Sequence, residues 1–258
     1  MQHLPMRRSA LQIGALALTS PAWAFGATGA AFGQRPSDAP KFNADGSPAR
    51  WAGNTIISRI DKRSETFMAM LDMQCALMRS GLTKRIAVLP ASSYHMTVFE
   101  GISFPQRSYN FPKDLPKDAS EEFCNAWFLK KLQRFDLACK TPFIMRPLAL
   151  ELQTNPYNIL LEPINRSENQ KIRTLRDRLA DTLQFRAEGH DKYQFHSTLN
   201  YFLSDLDPAE QEKFAQVRKR MLSDFIARSP VLELPAPDFC YFDDMLEFRT
   251  QIKLKNQS

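Results

Sequence analysis

The chain has few of the residues that hold disulfides, metals or nucleoside triphosphates. It has four cysteines in 258 residues, with no CxxC pair, no zinc-site spacing, no Walker loop and no GxGxxG segment. We therefore expect no metal or other cofactor. Cysteine is among the residues most often buried, so we expect four buried free thiols; a disulfide stays open for an exported protein, but the sequence does not name a pair. These thiols belong to Cys75, Cys124, Cys139 and Cys240.

The charge is not strongly one-sided. The formal net charge is +6, charged residues make up 24% and apolar residues 43%, which is ordinary globular composition. No basic run or arginine-rich arm occurs, so the sequence gives little support for nucleic-acid binding and favours a solvated basic surface. A mildly basic chain nevertheless suits a phosphate-bearing ligand.

No apolar run is long enough to span a bilayer, and the longest one lies near the N-terminus. Arg7 and Arg8 precede an uncharged apolar run from Ala10 to Leu18, and Ala22-Trp23-Ala24 fits a small-x-small cleavage site. We interpret residues 1–24 as a signal peptide that resembles the twin-arginine type, although the pair lacks the usual flanking residues. The prediction is export to the periplasm or the medium; a non-cleaved N-terminus is the alternative.

Strand and helix patterns then alternate. Residues 25–45 are rich in Gly, Ala, Ser and Pro and predict a flexible linker, and residues 46–258 predict one domain. Segments 54–60, 85–89 and 94–100 predict strands, the last two as a hairpin. Ser64 is placed to cap a helix, and another helix is expected around 120–135. The expected apolar faces of these two helices are Phe67, Leu71, Cys75 and Met78, and Phe123, Trp127, Leu132 and Phe135.

The second half has a similar order. Segments 142–152 and 157–163 predict strands, Ser167 is placed to cap a helix that ends near Leu183, and "YQFHSTLNYF" predicts the next strand. A helix follows Pro208, and short strands end the chain. The order strand, helix, histidine-containing strand thus occurs twice, which predicts an α+β fold with weak internal symmetry.

Each histidine-containing strand carries a His-x-Thr triplet, His95-Met96-Thr97 and His196-Ser197-Thr198. Alternate residues of a strand share a face, so each triplet presents one imidazole and one hydroxyl together. Two imidazoles in opposite protonation states can move protons to and from reacting oxygens near neutral pH. Hydroxyls can donate hydrogen bonds to phosphate oxygens. The two triplets therefore predict phosphodiester chemistry. The alternative is that the two histidines are unrelated and have only structural roles.

The segments "YHMTVF" and "FHSTLNYF" resemble the paired motifs of the 2H phosphoesterase superfamily, and "SSYHMTVFEG" is similar to a bacterial branch known mainly as a domain of unknown function. The resemblance covers residues 50–255. It implies a bilobed, pseudo-symmetric fold with two antiparallel-rich sheets flanked by helices. It also implies that His95 and His196 are the catalytic acid and base and that Thr97 and Thr198 bind phosphate.

The resemblance leaves the substrate open, because members hydrolyse cyclic phosphates or 2′,5′ linkages and some are associated with RNA end joining. We expect a monomer that acts on a small nucleotide or an RNA-terminus phosphodiester, without an evident protein partner. The alternatives are a catalytically idle module that binds nucleotides or RNA ends, and a ligase-like or transferase-like enzyme.

Other residues near the motifs have weaker claims. Aromatic rings beside the motifs can stack on a base or ribose, although alternation favours core packing for the first two: Tyr94, Phe195 and Tyr201. Three cations can hold phosphate, although a solvated or ion-paired role is favoured for each: Lys192, Arg146 and Arg249. His190 lies outside the strand pattern and is expected to be an ordinary loop histidine.

Overall fold

A computed structural model describes residues 40–107 and 111–257. The expected signal peptide and residues 25–39 of the expected linker lie outside this range. Residues 40–45 of the linker are described, and two of them, Lys41 and Phe42, pack on the fold. Phe42 is buried, and a turn closes behind it because Asn43 N donates to Ser47 O at 2.9 Å.

The first sheet has the strand order β10-β9-β1-β3, with every neighbouring pair antiparallel. Its strands are β1 (Gly53–Arg59), β3 (His95–Ser103), β9 (Asp238–Phe242) and β10 (Arg249–Lys253). Two of its four strands therefore come from the end of the described chain.

The second sheet has the order β6-β5-β4-β8 and is also antiparallel. Its strands are β4 (Phe143–Pro147), β5 (Asn158–Pro163), β6 (His196–Thr198) and β8 (Leu232–Leu234). The predicted α+β fold with two antiparallel sheets flanked by helices is confirmed.

The expected hairpin between segments 85–89 and 94–100 is wrong. Strand β2 (Ile86–Val88) pairs instead with β7 (Asn200–Phe202), which continues the second histidine strand. The predicted strand 193–202 is interrupted at Leu199. Its first part, β6, belongs to the second sheet, and its second part, β7, pairs with β2 in a separate two-stranded sheet. A three-residue 3₁₀ turn, Ala91–Ser93, takes the place of the expected hairpin turn.

Helices α1 (Glu65–Arg79), α2 (Glu121–Leu132), α3 (Arg166–Leu183) and α4 (Pro208–Arg228) pack around the sheets. Ser64 caps α1 as predicted, because its hydroxyl accepts a hydrogen bond from Phe67 N at 3.1 Å. Helix α3 begins two residues earlier than expected, with Asn165 rather than Ser167 as its cap. Asp207 caps α4 through a capping box with Glu210.

The predicted faces of α1 and α2 are partly wrong, although Phe67, Leu132 and Phe135 are buried as expected. In α1 the buried side is Phe67, Met70, Met73 and Leu77, while Cys75 is exposed and Met78 is 58% exposed. Because methionines lie on several sides of α1, the helix has two apolar faces. Only its packing against the rest of the fold decides which of them is buried. In α2 the buried residues are Cys124, Phe128 and Leu132, and Phe123 is 54% exposed.

One core joins the two halves. Buried side chains of both sheets and all four helices form a single apolar cluster, and α3 contacts β3, β4 and β5. A smaller cluster, which includes Phe42, Trp51, Ile57 and Phe242, covers the other face of the first sheet. All four cysteines are free thiols, but only Cys124 and Cys240 are buried as expected, whereas Cys139 is half-buried and Cys75 is exposed. Across residues 40–107 and 111–257, every helix is too short or too polar to cross a membrane.

Candidate functional site

The two histidine strands form neighbouring edges of the two sheets. Strand β3 ends the first sheet, β6 ends the second, and the two strands contact each other. His95 is the first residue of β3 and His196 the first residue of β6, and both side chains are half-buried. The intervening Met96 and Ser197 are buried on the opposite faces, as alternation predicts. We call His95, Thr97, His196 and Thr198 the histidine site.

The two imidazoles are held in the same way. Nδ1 of His95 lies 2.6 Å from Ser93 O, and Nδ1 of His196 lies 2.8 Å from Gln194 O. A carbonyl oxygen only accepts, so Nδ1 of each ring carries the proton and donates it. Each neutral ring is therefore fixed in the tautomer whose Nε2 has a free lone pair.

Both imidazoles favour the neutral form. Burial lowers the pKa of His95 to about 4; the hydrogen bond to Ser93 opposes this, while the nearby His196 and Arg59 add to it. Burial also lowers the pKa of His196, with the hydrogen bond to Gln194 opposing and the charge of Lys41 adding. The two rings are carried by strands β3 and β6, which contact each other.

Thr97 connects the two motifs through a residue that the sequence analysis missed. Its side chain is hydrogen-bonded to that of Tyr193, whose ring lies 5.9 Å from the His196 ring between centroids. The Arg176 guanidinium lies 4.1 Å from the centroid of the Tyr193 ring, and Arg173 Nη2 donates to Tyr193 O at 2.8 Å. Tyr193 lies three residues before His196, and no spacing pattern in the sequence distinguishes it. Its contacts with both motifs are seen only in the folded structure.

Thr198 occupies the matching place in the second motif. It is half-buried and lies opposite Asn158 on β5, as Thr97 lies opposite Ile57 on β1. Residues directly opposite each other in an antiparallel pair share a face. Since alternate residues of one strand also share a face, each motif threonine lies on the same sheet face as its histidine.

A β-bulge adds Glu100 to the face of the first motif. Across β1, Arg59, Ile57 and Thr55 lie opposite His95, Thr97 and Glu100, with a register shift after Thr97. The extra residue is Val98, whose carbonyl accepts a hydrogen bond from Arg176 Nη1 at 2.7 Å. Burial raises the pKa of Glu100, while the charges of Arg176 and Lys41 oppose the rise.

His95 also rests on the end of the first sheet. Its ring meets Phe248 edge-on at a centroid distance of 4.3 Å. Arg59, opposite His95, donates to Phe248 O, to Thr250 Oγ1 at 3.1 Å and to Asp238 Oδ2 at 3.3 Å. This network fixes the segment that supports the ring.

Lys41 stands beside the second motif, although the sequence analysis assigned it to a linker. It is half-buried, and its charge acts on both His196 and Glu100. Its Nζ lies 5.0 Å from the centroid of the Tyr201 ring, which places the expected Tyr201 next to the site but already covered by this side chain and by Phe42.

The remaining expected residues lie elsewhere. Tyr94 is buried, with its hydroxyl donating to Met70 O at 3.4 Å, on the core side of the sheet. Phe195 is buried in the same core. Lys192 is exposed in a 3₁₀ turn beside the site. Arg146 pairs with Glu162 at 2.8 Å and Arg249 with Asp243 at 2.7 Å, in the ion-paired roles that were favoured for them.

His190 is buried rather than an ordinary loop histidine. Its Nε2 lies 3.1 Å from Asp177 Oδ1, and burial is the main reason its pKa is lowered. Asp177, His190 and Asp191 bring potential metal-ligand atoms within 4.8 Å of one another. Arg186, however, pairs with Asp177 at 3.1 Å and with Asp191 at 2.9 Å, so the carboxylates already have a cation.

Comparison with known proteins adds a family and a structural relative. Residues 41–154, which contain the first motif but not the second, match the family model described as 2H-phosphodiest: Domain of unknown function (DUF1868). The match confirms the predicted resemblance. A conserved protein of unknown function, ATU0111 from Agrobacterium tumefaciens, has a similar structure with a TM-score of 0.75 and 26% identity, over 83% of this chain and 90% of that one. None of the curated proteins compared with this chain matches it.

Proposed function

Because residues 41–154 carry a 2H phosphodiesterase-like domain, we propose that the protein is a phosphoesterase that uses His95 and His196 as a general base and a general acid. The observation that supports this most is the equivalent mounting of the two imidazoles. Each donates Nδ1–H to the carbonyl two residues earlier and leaves Nε2 for a ligand, on contacting edge strands of two sheets.

In the proposed reaction, Nε2 of one neutral imidazole takes a proton from water while the water oxygen attacks phosphorus. Nε2–H of the other, protonated imidazole gives its proton to the leaving oxygen as the P–O bond breaks. Water is thereby added across that bond. Thr97 and Thr198 donate hydrogen bonds to the non-bridging oxygens. Which imidazole is the base stays open.

The low pKa of each histidine bears on this reaction. In the free protein at neutral pH both rings are neutral, so the acid has to be generated when substrate binds. A phosphodiester anion between the rings favours the imidazolium form and raises the pKa of at least one ring. Substrate binding and protonation are therefore coupled.

We propose 2′,3′-cyclic phosphates of nucleotides or RNA ends as the first substrates to test, since hydrolysis of a strained cyclic ester needs only water and the two histidines. Cleavage of a leader after Ala24 leaves Lys41 and the whole described fold intact, which is compatible with export.

The test is turnover of 2′,3′-cyclic nucleotides and ADP-ribose 1″,2″-cyclic phosphate in the presence of EDTA. We expect hydrolysis that resists EDTA and falls by about 10²–10⁴-fold in His95→Ala and in His196→Ala. Lys130→Met, on the exposed side of α2, serves as the matched control and should leave turnover unchanged.

The outcomes separate the alternatives. Nucleotide binding without turnover in the folded wild type would favour the idle binding module. Turnover only with an added RNA hydroxyl acceptor would favour ligase-like or transferase-like activity. Turnover that survives both histidine substitutions would contradict the proposal.

A further inference from the structure

Lys41 is held in place by the fold rather than carried on a loose tail. Ala49 N donates to Lys41 O at 3.1 Å, and the neighbouring Phe42 is buried with its ring 5.5 Å from the Tyr201 ring. The Lys41 ammonium lies 5.3 Å from the centroid of the Trp51 ring and 5.0 Å from that of Tyr201. It donates to the Tyr201 hydroxyl at 3.5 Å. Its position beside the second motif is therefore specified.

Two arginines near the histidine site are bound to protein groups, whereas Lys192 is exposed to solvent. Arg59 pairs with Asp238 at 3.3 Å, and Arg176 Nη1 donates to Val98 O. In residues 40–107 and 111–257, by contrast, no ion pair within 4.0 Å that includes Lys41 is found, and its neighbours are aromatic faces and a hydroxyl. Glu100 acts on it electrostatically, and burial raises the pKa of that carboxyl while the charges of Arg176 and Lys41 oppose the rise.

A half-buried ammonium without a close counter-ion is stabilised most by the anionic group of a bound ligand. The anion expected here is the phosphodiester, because Lys41 contacts the ring and hydroxyl of Tyr201, three residues after Thr198 of the second motif, and its charge also acts on His196. The two threonine hydroxyls supply neutral donors to the phosphate, and a lysine would supply the formal positive charge that they lack.

We propose that Lys41 is a substrate-binding residue of the histidine site and that its ammonium contacts the non-bridging phosphate oxygens from the side of the second motif. This inference rests on the proposed function and adds a residue to it. With Lys41, the substrate-binding residues include one from the segment whose composition predicts a linker.

The experiment compares Lys41→Met, Lys41→Arg and Lys130→Met with the wild type. Methionine keeps an unbranched stem between Trp51 and Tyr201 and removes the charge, whereas arginine keeps the charge. The Lys130→Met control removes a charge from exposed α2, which packs on the other face of the first sheet. Three quantities are measured for each: KM and kcat with 2′,3′-cyclic AMP, the Kd for inorganic phosphate, and the imidazole pKa values by NMR.

We expect Lys41→Met to raise KM and the phosphate Kd by about 10- to 100-fold, the loss typical of a hydrogen bond to a charged group. Lys41→Arg should restore most of the binding, and Lys130→Met should change nothing. The His196 pKa should rise in Lys41→Met, because a neighbouring positive charge has been removed, while the His95 pKa should not, since Lys41 does not act on it.

The proposal is overturned if folded Lys41→Met binds phosphate and substrate as the wild type does, or if it loses only thermal stability, which would make Lys41 a clamp between rings. Failure of the wild type to bind millimolar phosphate also overturns it. If the wild type binds phosphate through Lys41 but turns nothing over, the proposed function fails and this inference stands. If turnover depends on both histidines but not on Lys41, the reverse holds.

Discussion

At the residue scale, the hydrogen bonds of the two histidines explain how one chain presents two equivalent bases. A ring whose Nδ1–H is bound to a backbone carbonyl cannot rotate to present the other nitrogen without losing that bond. Ser93 O and Gln194 O provide this restraint for His95 and His196. Since the acceptors are main-chain atoms, the restraint depends on the backbone path before each strand, and substitution of Ser93 or Gln194 would leave it in place.

Tyr193 deserves a test of its own, because it touches one member of each motif. The hydrogen bond with Tyr193 holds the Thr97 hydroxyl in place beside the second motif. We expect Tyr193→Phe to keep the ring packing on Arg176 and to lower kcat about tenfold, the effect of one lost hydrogen bond of about 1.4 kcal/mol. Steady-state kinetics with 2′,3′-cyclic AMP measure the change in kcat.

The matched control is Tyr241→Phe. The Tyr241 hydroxyl also donates one hydrogen bond, to Asn125 O at 3.0 Å, but on the α2 side of the sheet. It should lose stability without losing kcat. Equal kcat in Tyr193→Phe and the wild type would show that the Thr97 contact does not matter for turnover.

At the element scale, the bulge in β3 decides which side chains join the site. Simple alternation from His95 and Thr97 places Phe99 on the same face and Glu100 on the other. The register shift at Val98 reverses this, so Phe99 enters the core and Glu100 faces the site. Nothing in "HMTVFE" signals a bulge, since each residue there suits a regular strand. The position of Glu100 on the face of the histidine site could therefore not be predicted from the sequence.

The bulge depends on Arg176, which is 1% exposed and extends from α3 to Val98 O. We expect Arg176→Met to leave that carbonyl buried without a donor, which costs about 1–3 kcal/mol. For a domain of this size that corresponds to a fall in Tm of about 2–12 °C, at roughly 2–4 °C per kcal/mol. Differential scanning calorimetry measures the change.

Activity should fall in the same Arg176→Met variant, because the cation also lies over the Tyr193 ring. Arg134→Met, an exposed arginine, is the control and should keep both Tm and kcat. A variant with wild-type Tm and kcat would show that the bulge is stable without its arginine.

At the scale of the whole molecule, the sequence predicted local features better than pairings between distant segments. The two His-x-Thr strands and most helices follow from patterns within about 20 residues, whereas the antiparallel sheets are what the family resemblance implies. The β2–β7 pair, the buried sides of α1 and α2, and the places of Lys41 and Tyr193 depend on contacts between segments far apart in the chain. Residue periodicity carries no information about such contacts, so these features could not be predicted.

Burial of histidines makes the stability of the whole fold depend on pH. The folded His95 has a pKa of about 4 and the unfolded group one of 6.5. Between these values the unfolded state binds more protons, so the free energy of unfolding falls as the pH is lowered from 6.5 to 4. The loss from this group is at most about 3 kcal/mol.

We expect His95→Asn to remove this part of the acid sensitivity, because asparagine does not titrate and its side-chain amide can still donate to Ser93 O. Urea denaturation between pH 4 and pH 7 tests it: the stability of the variant should change less over that range than that of the wild type. His196 and His190 shift in the same direction and will keep some slope. An unchanged slope would mean that His95 has an ordinary pKa.

The pairing of β1 with β9 has a consequence for the order in which the protein can fold during synthesis. Strand β1 is made early, yet one of its two neighbours, β9, and the loop that supports His95 emerge from the ribosome only after the whole second sheet. Contacts of such long sequence separation form slowly. The first motif must therefore wait for the last strands, and all strands of the second sheet are synthesised while the first sheet still lacks β9 and β10.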